Sequence, residues 1–116
     1  MGFYIKKKRN IHLKLRYRLI EQIVSSSSSI FLNIAEGYGR GTTKDYIRFL
    51  YISRGSLYET VSMIEFFKEL NWIDNMKYQE FHEECTILGK MLNSLITSLL
   101  KKLRNPNPPS PSSPNP

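Results

Sequence analysis

NMKYQEFHEECTILGKMLNSLITSLLKKLR, residues 75–104, carries apolar side chains at Phe81, Cys85, Leu88, Leu92, Leu95 and Leu99. Steps of four and three keep these positions on one stripe of an α-helix. Ile87, Met91, Leu100 and Leu103 widen the stripe on one flank. Glu80, Glu83 and Glu84 come early and Lys101, Lys102 and Arg104 come late, which complements the helix dipole. Asn105-Pro106 ends the helix, because a residue before proline avoids the α region.

Working outward, the same period predicts a helix over about 44–70. Tyr46, Phe49, Leu50, Ser53, Leu57, Val61 and Ile64 trace its main face, and Ile47, Tyr51, Tyr58, Phe66 and Phe67 add a second strip. Thr42 or Thr43 can cap its start, with Asp45 in the first turn, where negative charge is favoured. Asn71-Trp72-Ile73-Asp74 is short enough to make the next helix an antiparallel neighbour, with Asp74 as its N-cap. A first helix over about 16–36 follows from Leu19, Ile20, Ile23, Ile30, Phe31 and Ile34. Ser25 to Ser29 interrupt it as a weak point, since serine competes for backbone hydrogen bonds. Gly37, Gly39 and Gly41 are then expected to open a loop. The fold class is all-α: an antiparallel up-down bundle with three clear helices.

The chain has 116 residues and a formal charge of +7, which suits one domain. All six prolines lie in 105–116, among serines and asparagines, so that segment is expected to be a disordered tail. Residues 1–18 hold Lys6, Lys7, Lys8, Arg9, Lys14, Arg16 and Arg18 with no acid, a charge equal to the whole net charge. The expected division is therefore a basic arm (1–18), a helical bundle (19–104) and the tail (105–116). Lys101, Lys102 and Arg104 form a second short basic cluster at the other end. Basic ends on a balanced body suit a polyanion, nucleic acid or an anionic surface; solubility alone is an equally good reading.

Other function classes find little support. Cys85 has no partner for an internal disulfide, and its place on the apolar stripe suits a buried thiol. No apolar run approaches the ~18 residues of a membrane span, and MGFYIKKKRN has no signal-peptide core. A cytoplasmic protein is expected. His12 and His82 stand far apart without ligand spacing, so neither a metal nor a cofactor is indicated. No nucleophile, base and orienting group assemble, so no enzyme is expected. Gly37-Tyr-Gly-Arg-Gly lacks P-loop spacing, although Arg40 and Lys44 are placed for a backbone phosphate. Tyr4 and Tyr17 interleave with the basic residues, where they can stack on bases or pack against helices.

Asn33-Ile-Ala-Glu-Gly-Tyr-Gly-Arg-Gly-Thr42, Phe49-Leu50 and Gly55-Ser-Leu-Tyr-Glu59 carry a family resemblance. They are similar to the signature SIP-x-NIAEG-x-x-R … F-x-x-FL-x-I-A-x-GSL-x-E of the bacterial four helix bundle protein family. That family includes proteins encoded by intervening sequences of large-subunit ribosomal RNA and the accessory variability protein of diversity-generating retroelements. The resemblance runs from about Leu19 to Leu103. It implies antiparallel four-helix protomers assembled as a five-subunit barrel, and, through the retroelement protein, nucleic acid and a reverse transcriptase as partners. This sequence departs from the pattern in three ways. Only a short basic segment precedes Leu19, where the family has a long amphipathic helix, so the first family helix is expected to be missing. Ser25 to Ser29 replace two cations, and Phe31 replaces the proline. Self-association or decay of the copy would follow from such a loss.

The motif residues also have structural readings. Asn33 and Glu36 can bond neighbouring helices, with Arg40 or Arg54 as partner of Glu36; Gly55 and Ser56 would permit close helix approach; Gly37, Phe49 and Glu59 complete the set. The function expected is a non-enzymatic, nucleic-acid-associated, homo-oligomeric bundle. Lys6, Lys7, Lys8, Arg9, Lys14, Arg16, Arg18, Arg40, Lys44 and Arg48 would hold phosphates without reading sequence. A protein–protein scaffold and a functionless remnant are the alternatives.

Overall fold

The computed structural model describes residues 2–105, so all but the first residue of the proline-rich segment lies outside it. Among the described residues there are three α-helices and no strand: α1 (Gly2–Gly39), α2 (Thr43–Glu69) and α3 (Asn75–Arg104). The all-α reading holds. The expected bounds of α3 are reproduced, and those of α2 shift by a residue at each end.

The first helix differs most. It begins at Gly2 rather than near residue 16, so the basic segment is the N-terminal part of α1 itself. No glycine or proline stands between Phe3 and Val24 to break it. Nor do the serines break it. Ser26 Oγ donates to Ile23 O at 3.2 Å, Ser27 Oγ to Val24 O at 3.2 Å and Ser28 Oγ to Val24 O at 2.8 Å. The competing hydrogen bonds are thus made within the helix, to carbonyls that stay in the ladder. Gly37 and Gly39 are also helical, and only Gly41 takes a positive φ, of 85°. The expected glycine loop shrinks to Arg40–Thr42.

The helix ends are chemically closed. Thr42 Oγ1 accepts from Asp45 N at 3.2 Å, and Asp74 Oδ1 accepts from Lys77 N at 2.7 Å. Asn71, at φ 59°, ends α2. There Trp72 N donates to Phe67 O and Asn71 N to Lys68 O, both at 2.9 Å, the paired bonds of a left-handed C-terminal cap. Trp72 then packs on Phe67, with ring centroids 5.1 Å apart.

α2 is the central helix. α1 packs along it through a seam of small residues: Thr60 Oγ1 donates to Ser26 Oγ (3.0 Å), Ser29 and Ser56 share a 2.9 Å bond, and Ser53 Oγ donates to Ile30 O (2.7 Å). Ser53 is fully buried. The rising α1 numbers against falling α2 numbers make the pair antiparallel. On the other side of α2, the Arg54–Asn93 bond (3.0 Å) and the approach of Gly89 to Leu57 set α3 antiparallel as well. Ile30, Leu50, Leu57, Leu92 and Ile96 form the core where the three meet. α1 and α3 both pack on α2, without close backbone approach to each other.

Candidate nucleic-acid interface

Lys6, Lys7, Lys8, Arg9, Lys14, Arg16 and Arg18 all lie on α1, and every residue from Gly2 to Arg18 is exposed. The register along α2 explains this exposure. Arg16 reaches the turn after α2, its guanidinium 5.0 Å from the centroid of the Trp72 ring. Residues 2–15 therefore run past the end of α2, about 20 Å of helix with no neighbouring element among the described residues. The first acid along the chain is Glu21, so the projecting cations have no carboxylate on their own segment.

Arg40, Lys44 and Arg48 lie at the opposite end of α1, where it turns into α2. From Arg18 to Arg40 is about 33 Å along the helix axis, so the expected phosphate contacts divide into two patches rather than one. At the second patch the arginines are tied down. Arg40 Nε lies 3.0 Å from Glu36 Oε2, and Arg48 lies 3.8 Å from Asp45. Both guanidinium groups also stand over the Phe49 ring, at 5.0 and 4.5 Å from its centroid. Asp45 fills the first turn of α2 and Thr42 caps it, so that helix end is no open anion cradle.

The antiparallel register brings Lys101, Lys102 and Arg104 of α3 to this same end. They are missing from the sequence-based phosphate set, although their clustering is visible in the sequence. Six cations against Glu36 and Asp45 then make this end basic too.

The family-motif residues have structural tasks. At Gly37 α1 and α2 leave no room for a side chain: a Cβ there would sit 2.7 Å from Phe49 Cβ and 3.1 Å from a Tyr46 ring carbon. Asn33 Nδ2 donates to Ser29 O and Oγ, within its own helix rather than to a neighbour. Glu36 takes Arg40, while Arg54 goes to Asn93. Glu59 accepts from Gln22 at 3.4 Å across the α1–α2 seam. Gly55 faces open space, so of the Gly55-Ser56 pair only Ser56 lies in the helix contact.

Chemically reactive groupings are sparse. Among the described residues no three His, Cys, Asp or Glu side chains cluster as metal ligands. Among the described residues, the serine and threonine hydroxyls that form hydrogen bonds do so with carbonyls, a backbone amide, other hydroxyls or the Asn33 amide, not with a carboxylate or imidazole. Cys85 is half-buried, and burial, helped by the charge of Glu84, raises its thiol pKa above the ordinary value. No helix among the described residues is long and apolar enough to cross a membrane.

No curated protein and no solved structure gave a significant match. One family profile does match, that of the 23S rRNA-intervening sequence protein, over residues 4–94. The matched stretch holds the Gly37–Phe49 contact, the serine seam and most of the helical core, as well as the projecting basic helix. The chain belongs to the 23S rRNA-intervening sequence protein family.

Proposed function

We propose that this chain is a non-enzymatic accessory protein that holds nucleic-acid phosphates through the projecting part of α1. It would work in the cytoplasm as a homo-oligomer. The carrying observation is the run of cations from Lys6 to Arg18 on a fully exposed helix with no acid before Glu21. Lysines and arginines on such a rod neutralise phosphates without sequence reading, and counterion release makes that binding salt-dependent. Lys44, Lys101, Lys102 and Arg104 offer a second contact surface at the far end. Arg40 and Arg48, tied to Glu36, Asp45 and Phe49, chiefly shape that end. The family's connection with 23S rRNA makes RNA the first nucleic acid to try, and the retroelement resemblance adds a reverse transcriptase as protein partner.

The test is binding of the purified chain to labelled RNA and DNA duplexes while salt rises from about 50 to 200 mM. Affinity is expected to fall by ~10³-fold for six or more phosphate contacts. Flat or absent binding from a helical, cooperatively melting sample overturns the proposal and leaves a protein-interaction scaffold in its place.

A further inference from the structure

Between the two basic ends, charge is sorted by helix. Seven of the ten acids lie from Glu59 to Glu84, in the second half of α2, the turn and the first half of α3, where Lys68 and Lys77 are the only lysines or arginines. The open groove between α1 and α3, about 550 Å³, is lined mostly by apolar side chains, and its one charged residue is Glu84. Neither region offers a polyanion a seat. From Leu19 to Gly39, by contrast, α1 has only Glu21 and Glu36 as acids, and Glu36 is held by Arg40.

The outward side of α1 connects the two ends. Lys7, Lys14, Arg18, Ser25 and Leu32 recur at steps of seven, four, seven and seven, which places them on one face. All five are exposed, while Ser26, Ile30 and Gly37, buried toward α2, lie on another face. From Arg18 to Arg40 is about 33 Å, close to the ~34–36 Å turn of a B-form duplex. A duplex laid along α1 therefore turns the same side of its backbone to both basic ends. Because one unbroken helix joins those ends, the second contact is made within a complex already formed, and the two together hold more tightly than either alone.

We propose that one nucleic-acid duplex lies along the outward face of α1 and is held at both ends at once. The projecting cations, led by Lys7, Lys14 and Arg18, hold one end, and Lys101, Lys102 and Arg104 hold the other. This placement rests on the phosphate-holding function above and gives it a path and a minimum length. A duplex shorter than about 10 base pairs, ~34 Å, reaches one basic end only. About 15 base pairs cover α1 from Lys7 to Arg40, ~50 Å.

The full chain is titrated with RNA and DNA duplexes of about 8 and about 20 base pairs at about 50 mM salt. Counted per binding register, the longer duplex is expected to bind at least about tenfold tighter. Replacing Lys101, Lys102 and Arg104 by glutamine should remove most of that gain and change binding of the shorter duplex by no more than about twofold, with helical circular dichroism unchanged. A second measurement traces the path. In a chain carrying Cys85→Ser, an iron chelate tethered at Ser25→Cys is expected to cut the longer duplex by hydroxyl radicals, and one tethered at Thr86→Cys, an exposed position on α3, is not. Equal affinity for the two lengths, or a length gain that survives the three replacements, overturns the double grip and leaves phosphate binding standing. Cutting from Thr86→Cys, or from neither position, overturns the path along α1. No binding of either duplex removes the phosphate-holding function itself, and the double grip with it.

Discussion

Two glycines of the family motif separate packing from backbone freedom. At Gly37 an added Cβ meets Phe49 Cβ at 2.7 Å, backed by Tyr46; at Gly55 it meets nothing within 4 Å. Both lie inside helices, where alanine is favoured over glycine by about 1 kcal/mol. Gly55→Ala should therefore stabilise by about 0.5–1 kcal/mol. Gly37→Ala should destabilise by a net ~1–2 kcal/mol, because overpacking outweighs the propensity gain. Urea midpoints of the two variants are expected to move in opposite directions. Cys85 gives a second residue-level expectation. Its raised pKa, from burial and then Glu84, keeps the thiol protonated as pH rises through the range where an ordinary cysteine ionises. Alkylation should lag behind that of a free thiol at mildly alkaline pH and approach it once the chain is unfolded in urea. Equal rates in the folded and unfolded chain would contradict a half-buried thiol.

At the scale of the elements, α1 is two helices in one energetic sense. From Arg16 to Gly37 it lies on α2, joined by the hydroxyls of Ser26, Ser29, Ser53, Ser56 and Thr60. From Gly2 to Leu15 it has only its own hydrogen bonds, and an isolated helix of that length is marginal in water. Amide exchange should be fast for residues 2–15, with Ser26 to Ile34 protected. The serine seam brings its own prediction. Ser53 is completely buried and its hydroxyl donates to Ile30 O. Ser53→Leu must push α1 off α2, at a cost of about 1–3 kcal/mol or more. Ser53→Ala loses one hydrogen bond, about 1 kcal/mol. Thermal melts of the pair should rank in that order.

For the whole molecule, the question is how two basic patches at opposite ends share a polyanion. Replacing Lys6, Lys7, Lys8 and Arg9 by glutamine should lower the slope of log affinity against log salt on duplex DNA by about 3–4, if each cation holds a phosphate. Replacing Lys101, Lys102 and Arg104 should lower it by at most about 3. Equal small effects from both sets would mean that neither patch holds phosphates.

The amino-acid sequence by itself determined the all-α class, the bounds of α3, those of α2 to within a residue, and the cap at Asp74, and it narrowed the α2 cap to Thr42 or Thr43. Each of these rests on local information: a 3.6-residue period, a side-chain acceptor three residues before an amide, a proline after the last turn. The charge of the first eighteen residues was equally plain. What local reading got wrong was the part where tertiary contacts decide. Serine is a poor helix former alone, so Ser25 to Ser29 mark a weak point in any local reading, yet in the fold Ser26 and Ser29 are the small polar residues that let α1 lie on α2. Gly37 looks loop-forming beside Gly39 and Gly41, yet it lies inside α1, where Phe49 leaves no room for a side chain. The placement of Lys101, Lys102 and Arg104 beside Lys44, and the groove between α1 and α3, depend on antiparallel register. Register is set by which side chains fit together across helices, and no window along a single chain contains that information.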